Sequence, residues 1–113
     1  MKPYWKRRWV KALRSGNYLQ GSSTLRRQIP GERPRFCCLG VLCDIGVKAP
    51  WEPFEIVPNV YTFKGNQNFA AVLAQPILAQ FGLSSTEQAS LAALNDEEGM
   101  SFLEIADWIE EHL

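Results

Sequence analysis

Long apolar runs are scarce in this sequence. The longest apolar stretches, residues 36–43 and 69–74, fall well short of the roughly 20 residues that a membrane-spanning helix needs. The N-terminus is basic, but the apolar run within residues 9–13 is too short and too charged for a signal peptide. We therefore expect no contact with a membrane and a cytoplasmic location.

Cysteine is confined to one short segment, and histidine occurs once. Cys37, Cys38 and Cys43 are an odd number of thiols lying close together, which makes a poor disulfide framework, so we expect them to be reduced. Structural zinc needs paired ligands on two elements, whereas the single histidine, His112, is far from the cysteines in sequence. A chain of 113 residues can bury one hydrophobic core without such support. The sequence therefore predicts one domain with no metal and no cofactor.

Helical periodicity is clearest at the two ends of the chain. Trp5, Trp9 and Leu13 share one stripe of a predicted helix over residues 4–15, which Gly16 is placed to end. Ser-x-x-Glu capping boxes at residues 84–87 and 101–104 predict helices over residues 85–94 and 102–113.

The middle of the chain carries weaker signals. A short helix is predicted over residues 76–81, with proline first and glycine directly after it. The apolar run FCCLGVLCDIGVK, residues 36–48, indicates a buried helix of about ten residues, although a buried strand fits the same pattern. Prolines and aromatic residues from residue 49 onward predict a small hairpin that ends in a turn at residues 64–66.

Residues 16–35 have no regular period and are rich in glycine, serine, proline and arginine, so we interpret them as a long basic connecting loop. The predicted fold is therefore mainly α, a compact single domain of four or five helices with a small β-hairpin in the middle. Much of its core is predicted to consist of Trp5, Trp9, Leu13, Leu39, Leu42, Leu91, Leu94, Phe102, Ile105 and Ile109.

Three segments together resemble a known family. They are W-x2-AL-x-SG-x-Y-x-QG in residues 9–21, FCCLGVLCD in residues 36–44, and LND…SF-x-EIAD-x-IE in residues 94–110. These motifs are similar to those of small, mostly uncharacterised proteins encoded by bacteriophages and prophages. The resemblance implies a compact, mostly helical protein made in the bacterial cytoplasm during infection, and it implies no catalytic residues. Small phage accessory proteins commonly bind a host component, including components of immune systems.

The residues suggest two kinds of catalytic site. A cysteine nucleophile needs a base or a setting that stabilises the thiolate. His112 lies where fraying is expected, whereas Cys37 follows Arg35 and is predicted in the first turn of a helix. The alternative is that the thiols are simply buried.

The acidic run from Asp96 to Glu98 lacks the spaced ligands of a calcium loop, so we interpret Asn95 and Asp96 as ordering a turn between helices.

A phosphate-binding loop is not predicted. The segment GSST at residues 21–24 lacks the Walker pattern, and no strand is predicted before it.

The net charge of zero conceals an asymmetry. Residues 1–35 carry ten basic residues and one acidic residue, a net charge of +9, and residues 36–113 carry two basic and eleven acidic residues, a net charge of −9. Two segments of such opposite net charge indicate either a basic surface that binds an anion or a dipolar molecule whose oppositely charged ends pair with each other.

The basic half supplies the candidate binding surface. Arginine forks match phosphate geometry, and a tyrosine can stack on a base. We predict that the surface consists of Arg7, Lys11, Arg14, Tyr18, Arg26, Arg27, Arg33 and Arg35. The alternative is that the basic helix packs beside the acidic C-terminal helix, or that both faces are merely solvated.

These observations favour a non-enzymatic phage accessory protein that binds and inhibits or sequesters a host factor, with anti-defence as one such role. The partner is expected to be a host protein or an anionic, nucleotide-like ligand. Two alternatives stay open: a protein that binds nucleic acid or nucleotides through the same basic surface, and a cysteine-dependent enzyme.

Overall fold

Five helices and a five-stranded sheet make up the protein, as seen in a computed structural model that describes residues 1–113. The helices are α1 (Pro3–Arg14), α2 (Cys38–Gly46), α3 (Gln75–Phe81), α4 (Ser85–Asp96) and α5 (Phe102–His112). The strands are β1 (Leu19–Gln20), β2 (Arg26–Arg27), β3 (Arg35–Phe36), β4 (Trp51–Pro53) and β5 (Val60–Phe63).

The sheet has the strand order β1-β3-β2-β5-β4. β1 and β3 run parallel, and the other three pairs are antiparallel. The predicted hairpin is present as β4 and β5, but it forms one edge of this larger mixed sheet. The prediction of a mainly α fold with a small hairpin is therefore wrong, and the domain is α+β.

The three missed strands lie where we predicted a connecting loop. β1, β2 and β3 have two residues each, which is too short for an alternating pattern to show in the sequence. They are held by partners distant in sequence, such as β5, whose residues Val60 and Tyr61 pair with Arg27 and Arg26 of β2. β1 also directly precedes residues 21–24, so the expectation that no strand stands before this segment is wrong.

The predicted helices are all present, and α2 resolves the choice between helix and strand in favour of the helix. Ser84 and Ser101 each accept a hydrogen bond from the amide three residues on, and both capping boxes are complete. Gly82 ends α3 with a φ of 73°, in the left-handed region that glycine adopts without strain.

The core forms among α1, α2, α4 and α5, and α2 also contacts β3 of the sheet. Of the ten predicted core residues all are buried except Trp5, which is half-buried and packs edge-on against Phe81. α1 packs against α5 and α2, so the first and last helices of the chain are neighbours. Trp9 donates from its indole Nε1 to the Cys38 carbonyl at 2.9 Å, which anchors α1 on the start of α2.

A buried polar cluster joins the helices to the sheet. The side chain of Asn95 accepts hydrogen bonds from the Cys38 amide and the Gln20 side chain, and it donates to the Gly21 carbonyl and to Asp96. Asn95 therefore does more than end a helix, because it ties α4 to α2 and β1. No helix in the protein has both the length and the apolar character needed to cross a membrane.

Candidate functional site

The eight predicted binding residues occupy three depressions of the surface. We call these the helix groove, the aromatic cleft and the polar depression. The helix groove contains Arg7, Lys11 and Arg14, the aromatic cleft contains Tyr18, Arg26 and Arg33, and the polar depression contains Arg27 and Arg35.

The helix groove lies between α1 and α5 and encloses about 710 Å³. Arg14 donates to Asp107 and Glu110 of α5, both at 2.7 Å, and these hydrogen bonds raise its pKa. The alternative that the basic helix packs beside the acidic one is therefore confirmed for Arg14. Arg7 and Lys11 form no ion pair and remain exposed in the groove.

The aromatic cleft lies beside the sheet and encloses about 430 Å³. Its lining residues are Asn17, Tyr18, Arg26, Arg33, Pro34, Phe36, Asp44 and Trp51. The rings of Tyr18 and Phe36 meet edge to face with centroids 5.2 Å apart, and Trp51 follows at 6.1 Å from Phe36. One wall of the cleft thus contains residues from the loop after α1, from strands β2, β3 and β4, and from helix α2.

Arg26 is the most constrained cation of the cleft. Its guanidinium carbon lies 4.5 Å from the centre of the Tyr61 ring and about 6 Å from the centres of Phe36 and Trp51. One guanidinium nitrogen donates to the Gln28 side chain at 2.7 Å, and no carboxylate pairs with the group. The contact with Tyr61 is a cation–π contact, and no carboxylate of the protein neutralises the charge of Arg26.

Asp44 organises the aromatic wall, and it is not among the eight binding residues predicted from the sequence. One carboxylate oxygen accepts from the Tyr18 hydroxyl at 2.6 Å, and the other accepts from the Trp51 indole at 2.9 Å. Partial burial raises the pKa of Tyr18, and the hydrogen bond to Asp44 adds to the rise. Tyr18 therefore stays a neutral donor at physiological pH. No local sequence pattern reveals this arrangement, because its three members come from separate elements.

The helix groove and the aromatic cleft are continuous. A further depression between them shares Lys11 and Ser15 with the groove, and it shares Asn17 and Tyr18 with the cleft. Six of the eight predicted residues thus line one connected surface. Arg27 and Arg35 lie apart, in the polar depression with residues 21–24, which encloses about 330 Å³.

The three thiols are buried. Burial raises the pKa of Cys37 to about 11 and raises the pKa values of Cys38 and Cys43 well above the usual range. Cys37 stands at the N-cap of α2, yet desolvation outweighs the nearby amides that favour the thiolate. The local chemistry therefore opposes nucleophilic attack by these cysteines at neutral pH.

The other groups considered for chemistry have structural contacts. His112 stacks on Trp108 with ring centroids 4.5 Å apart. Asp96 accepts hydrogen bonds from the Ser23 amide and from Asn95, which orders the turn before β2. No three histidine, cysteine, aspartate or glutamate side chains are grouped so that they could hold a metal ion.

Comparison with known proteins gives one match. No curated protein and no solved structure matches the chain. Residues 1–113, the full length, match the profile of a family described as a domain of unknown function, DUF8296. The chain therefore belongs to the DUF8296 family.

Proposed function

We propose that this protein is a non-enzymatic binding protein that sequesters an anionic, nucleotide-like host molecule in the aromatic cleft. The observation that carries the proposal is Arg26, a guanidinium whose carbon lies 4.5 Å from the centre of the Tyr61 ring and which has no carboxylate partner. Such a group presents both a planar face and charged donors, which suits a ligand that has a flat ring and a negative charge.

The composition of the cleft supports a small ligand. Its volume of about 430 Å³ falls in the range of typical small-molecule sites, which is about 300–1,000 Å³. Two arginines face one carboxylate, so the cleft carries an excess of positive charge. Asp44 has both oxygens engaged by Tyr18 and Trp51, which reduces its repulsion of an anion.

The setting of this activity follows from the resemblance to phage-encoded proteins. In that setting the protein acts in the bacterial cytoplasm and withdraws a host signalling or metabolic nucleotide, with anti-defence as the benefit to the phage. Binding without turnover agrees with the buried, protonated thiols.

The test begins with the small-molecule extract of a bacterial host. The full chain is equilibrated with the extract, washed and denatured, and the released compounds are identified by mass spectrometry. Calorimetric titration of the identified compound then compares Arg26→Ala and Arg26→Lys with the unchanged protein. We expect affinity to fall at least about tenfold in both variants, because lysine keeps the charge but not the planar fork.

Arg7→Ala is the matched control, because Arg7 is an exposed and unpaired cation outside the cleft. It should bind as the unchanged protein does. Release of no compound, or equal affinity in all variants, would refute the proposal. Alanine at Arg26 and Arg33 should also remove the effect on infection, and an intact phenotype would assign another role to the cleft.

Nucleic-acid binding is a second candidate, supported by the continuity of the cleft with Arg7 and Lys11 in the helix groove. It predicts an affinity for single-stranded DNA that falls steeply with salt, because phosphate contacts release counterions. Arg7→Ala would weaken that binding, whereas it leaves small-ligand binding unchanged. A mobility-shift assay at low salt decides between the two candidates.

A further inference from the structure

Two arginines face each other directly in the antiparallel pairing of β2 with β3. Arg27 is the register partner of Arg35, and both side chains are exposed. Like charges directly opposite each other in a sheet are unfavourable unless something compensates them. The only ion pairs in the protein are those of Arg14, so no carboxylate compensates this pair.

Both guanidinium groups have donors to spare. Arg35 makes one hydrogen bond, from Nη1 to the Gln20 carbonyl at 3.3 Å, and the Arg27 side chain makes none. A guanidinium carries five N–H donors, so most of the donors of this pair face the polar depression without a protein acceptor.

Three hydroxyl groups complete the polar depression. Ser22, Ser23 and Thr24 line it with the two arginines, and none of the three hydroxyls forms a hydrogen bond within the protein. No hydrophobic residue lines the depression, so the apolar part of a ligand would find no apolar contact there.

The hydroxyl-bearing segment is held in an unusual conformation. Ser23 has a φ of 66°, which is the left-handed region that non-glycine residues seldom adopt. Its amide donates to the Asp96 carboxylate at 2.9 Å, which fixes the segment to the end of α4. At Gly21 an added Cβ would lie 3.0 Å from Cβ of Arg35, so this glycine lets the segment pass close beside β3.

We infer that the polar depression is a binding site for a phosphate-class oxyanion, held between Arg27 and Arg35 and capped by the hydroxyls of residues 22–24. A tetrahedral dianion accepts hydrogen bonds in several directions, and it neutralises both guanidinium groups at once. The ligand is either inorganic phosphate or the terminal phosphate of a small ester, because the lining is entirely polar.

This site is independent of the aromatic cleft. Arg26 and Arg27 are consecutive in β2, so their side chains project to opposite faces of the sheet. The loss of one binding activity therefore does not imply the loss of the other.

The test is a titration of the isotopically labelled full chain with sodium phosphate at constant ionic strength, followed by its amide NMR spectrum. We expect saturable shifts at residues 21–24, 27 and 35. Arg27→Gln and Arg35→Gln should each weaken binding about tenfold, because each removes one of the two charged contacts. Lys48→Gln is the control, because Lys48 is an exposed cation outside every depression, and it should keep the affinity of the unchanged protein.

Thermal unfolding provides a second measurement, because the proposal predicts the direction in which the midpoint of unfolding changes. In phosphate-free buffer Arg35→Gln should raise the midpoint of unfolding, because it removes repulsion from Arg27. Added phosphate should raise the midpoint of the unchanged protein more than that of the variant, because the variant binds phosphate about tenfold more weakly. The proposal would be overturned if the NMR shifts never saturated, or if they persisted in a protein that carries both Arg27→Gln and Arg35→Gln. Either result would show only general screening of charge by phosphate.

The source of the anion is distinguished by two further probes. Tighter binding of methyl phosphate than of inorganic phosphate would identify the end of a small ester, and equal binding would identify a free oxyanion. Dimethyl phosphate carries a single charge, so it should bind much more weakly. Equal affinity for dimethyl and methyl phosphate would overturn the requirement for a dianion.

Discussion

Cys37 shows how one residue's environment reverses an expectation based on its neighbours in sequence. An arginine two positions earlier and a helix start suggested a stabilised thiolate. In the structure Arg35 is exposed while Cys37 is buried, so desolvation dominates and raises the pKa of the thiol to about 11. Sequence proximity gives no information on burial, and burial decides the chemistry here.

The raised pKa makes the stability of the protein depend on alkaline pH. An unfolded thiol loses its proton near pH 8.5, earlier than folded Cys37 does. The folded state therefore holds more protons between about pH 8.5 and 11, and the free energy of unfolding falls as pH rises through this window. This difference of about 2.5 pKa units corresponds to about 3 kcal/mol, approached near pH 11. Urea unfolding at pH 7.5, 9 and 10.5 measures the decline.

Cys37→Ala provides the comparison for this decline. The variant starts less stable at pH 7.5, because a buried side chain is truncated, but its stability should fall less steeply with pH. Equal slopes in both proteins would assign the alkaline loss to the other groups whose pKa values are raised, namely Cys38, Cys43 and Tyr18.

At the scale of elements, Gly40 fixes the distance between α2 and the segment that leads into β2. A Cβ at this position would lie 1.8 Å from the Leu25 carbonyl oxygen. Alanine favours a helix over glycine by about 1 kcal/mol, whereas the clash with backbone demands a shift of the whole element. We expect Gly40→Ala to destabilise the protein by more than about 3 kcal/mol.

The control for that variant is Ala89→Gly, at an exposed position of α4. It measures helix propensity alone and should lower the free energy of unfolding by about 1 kcal/mol. Urea unfolding monitored by circular dichroism gives both values. If Gly40→Ala were stabilising, α2 would not pack as closely on residue 25 as the structure shows.

Asn95 connects α4 with α2 and with β1 through its side-chain hydrogen bonds. Asn95→Ala removes contacts to Cys38, Gln20 and Gly21 and leaves buried partners unsatisfied, so we expect a loss of about 2–4 kcal/mol. Glu97→Ala, two residues on and exposed, should change stability by less than about 0.5 kcal/mol. Equal losses in chemical unfolding would mean that the connection is not structural.

The elements that could be predicted are those with local signals. Periodicity gave α1 and α5, capping boxes gave the starts of α4 and α5, and Gly82 marked the end of α3. The two-residue strands could not be predicted, because their stability comes from partners distant in the chain. The same limit applies to the site: its arginines were named, but Asp44 and Trp51 join them only through the fold.

At the scale of the whole molecule, the opposed charges of the two parts are only partly cancelled within the fold. Arg14 binds Asp107 and Glu110, and all other cations lack a carboxylate partner. A molecule of zero net charge with separate positive and negative regions attracts its own copies when salt is low.

Light scattering should therefore show self-association at about 20 mM NaCl that disappears at about 300 mM, where the screening length is below about 10 Å. Reversing one charge in the helix groove, Lys11→Glu, should weaken the association. Association that instead grows with salt would point to contact between apolar groups such as the exposed Ile56 and Val57.

Because α1 packs against α5, the helix that is synthesised first has to wait for the one that is synthesised last. Synthesis proceeds at about 5–20 residues per second, so α1 emerges several seconds before the helix that covers it. Throughout that interval its stripe of Trp9, Val10 and Leu13 has no α5 to pack against, and its opposite side is cationic. The nascent chain therefore presents a basic amphipathic segment to chaperones and to ribosomal RNA before the domain can close.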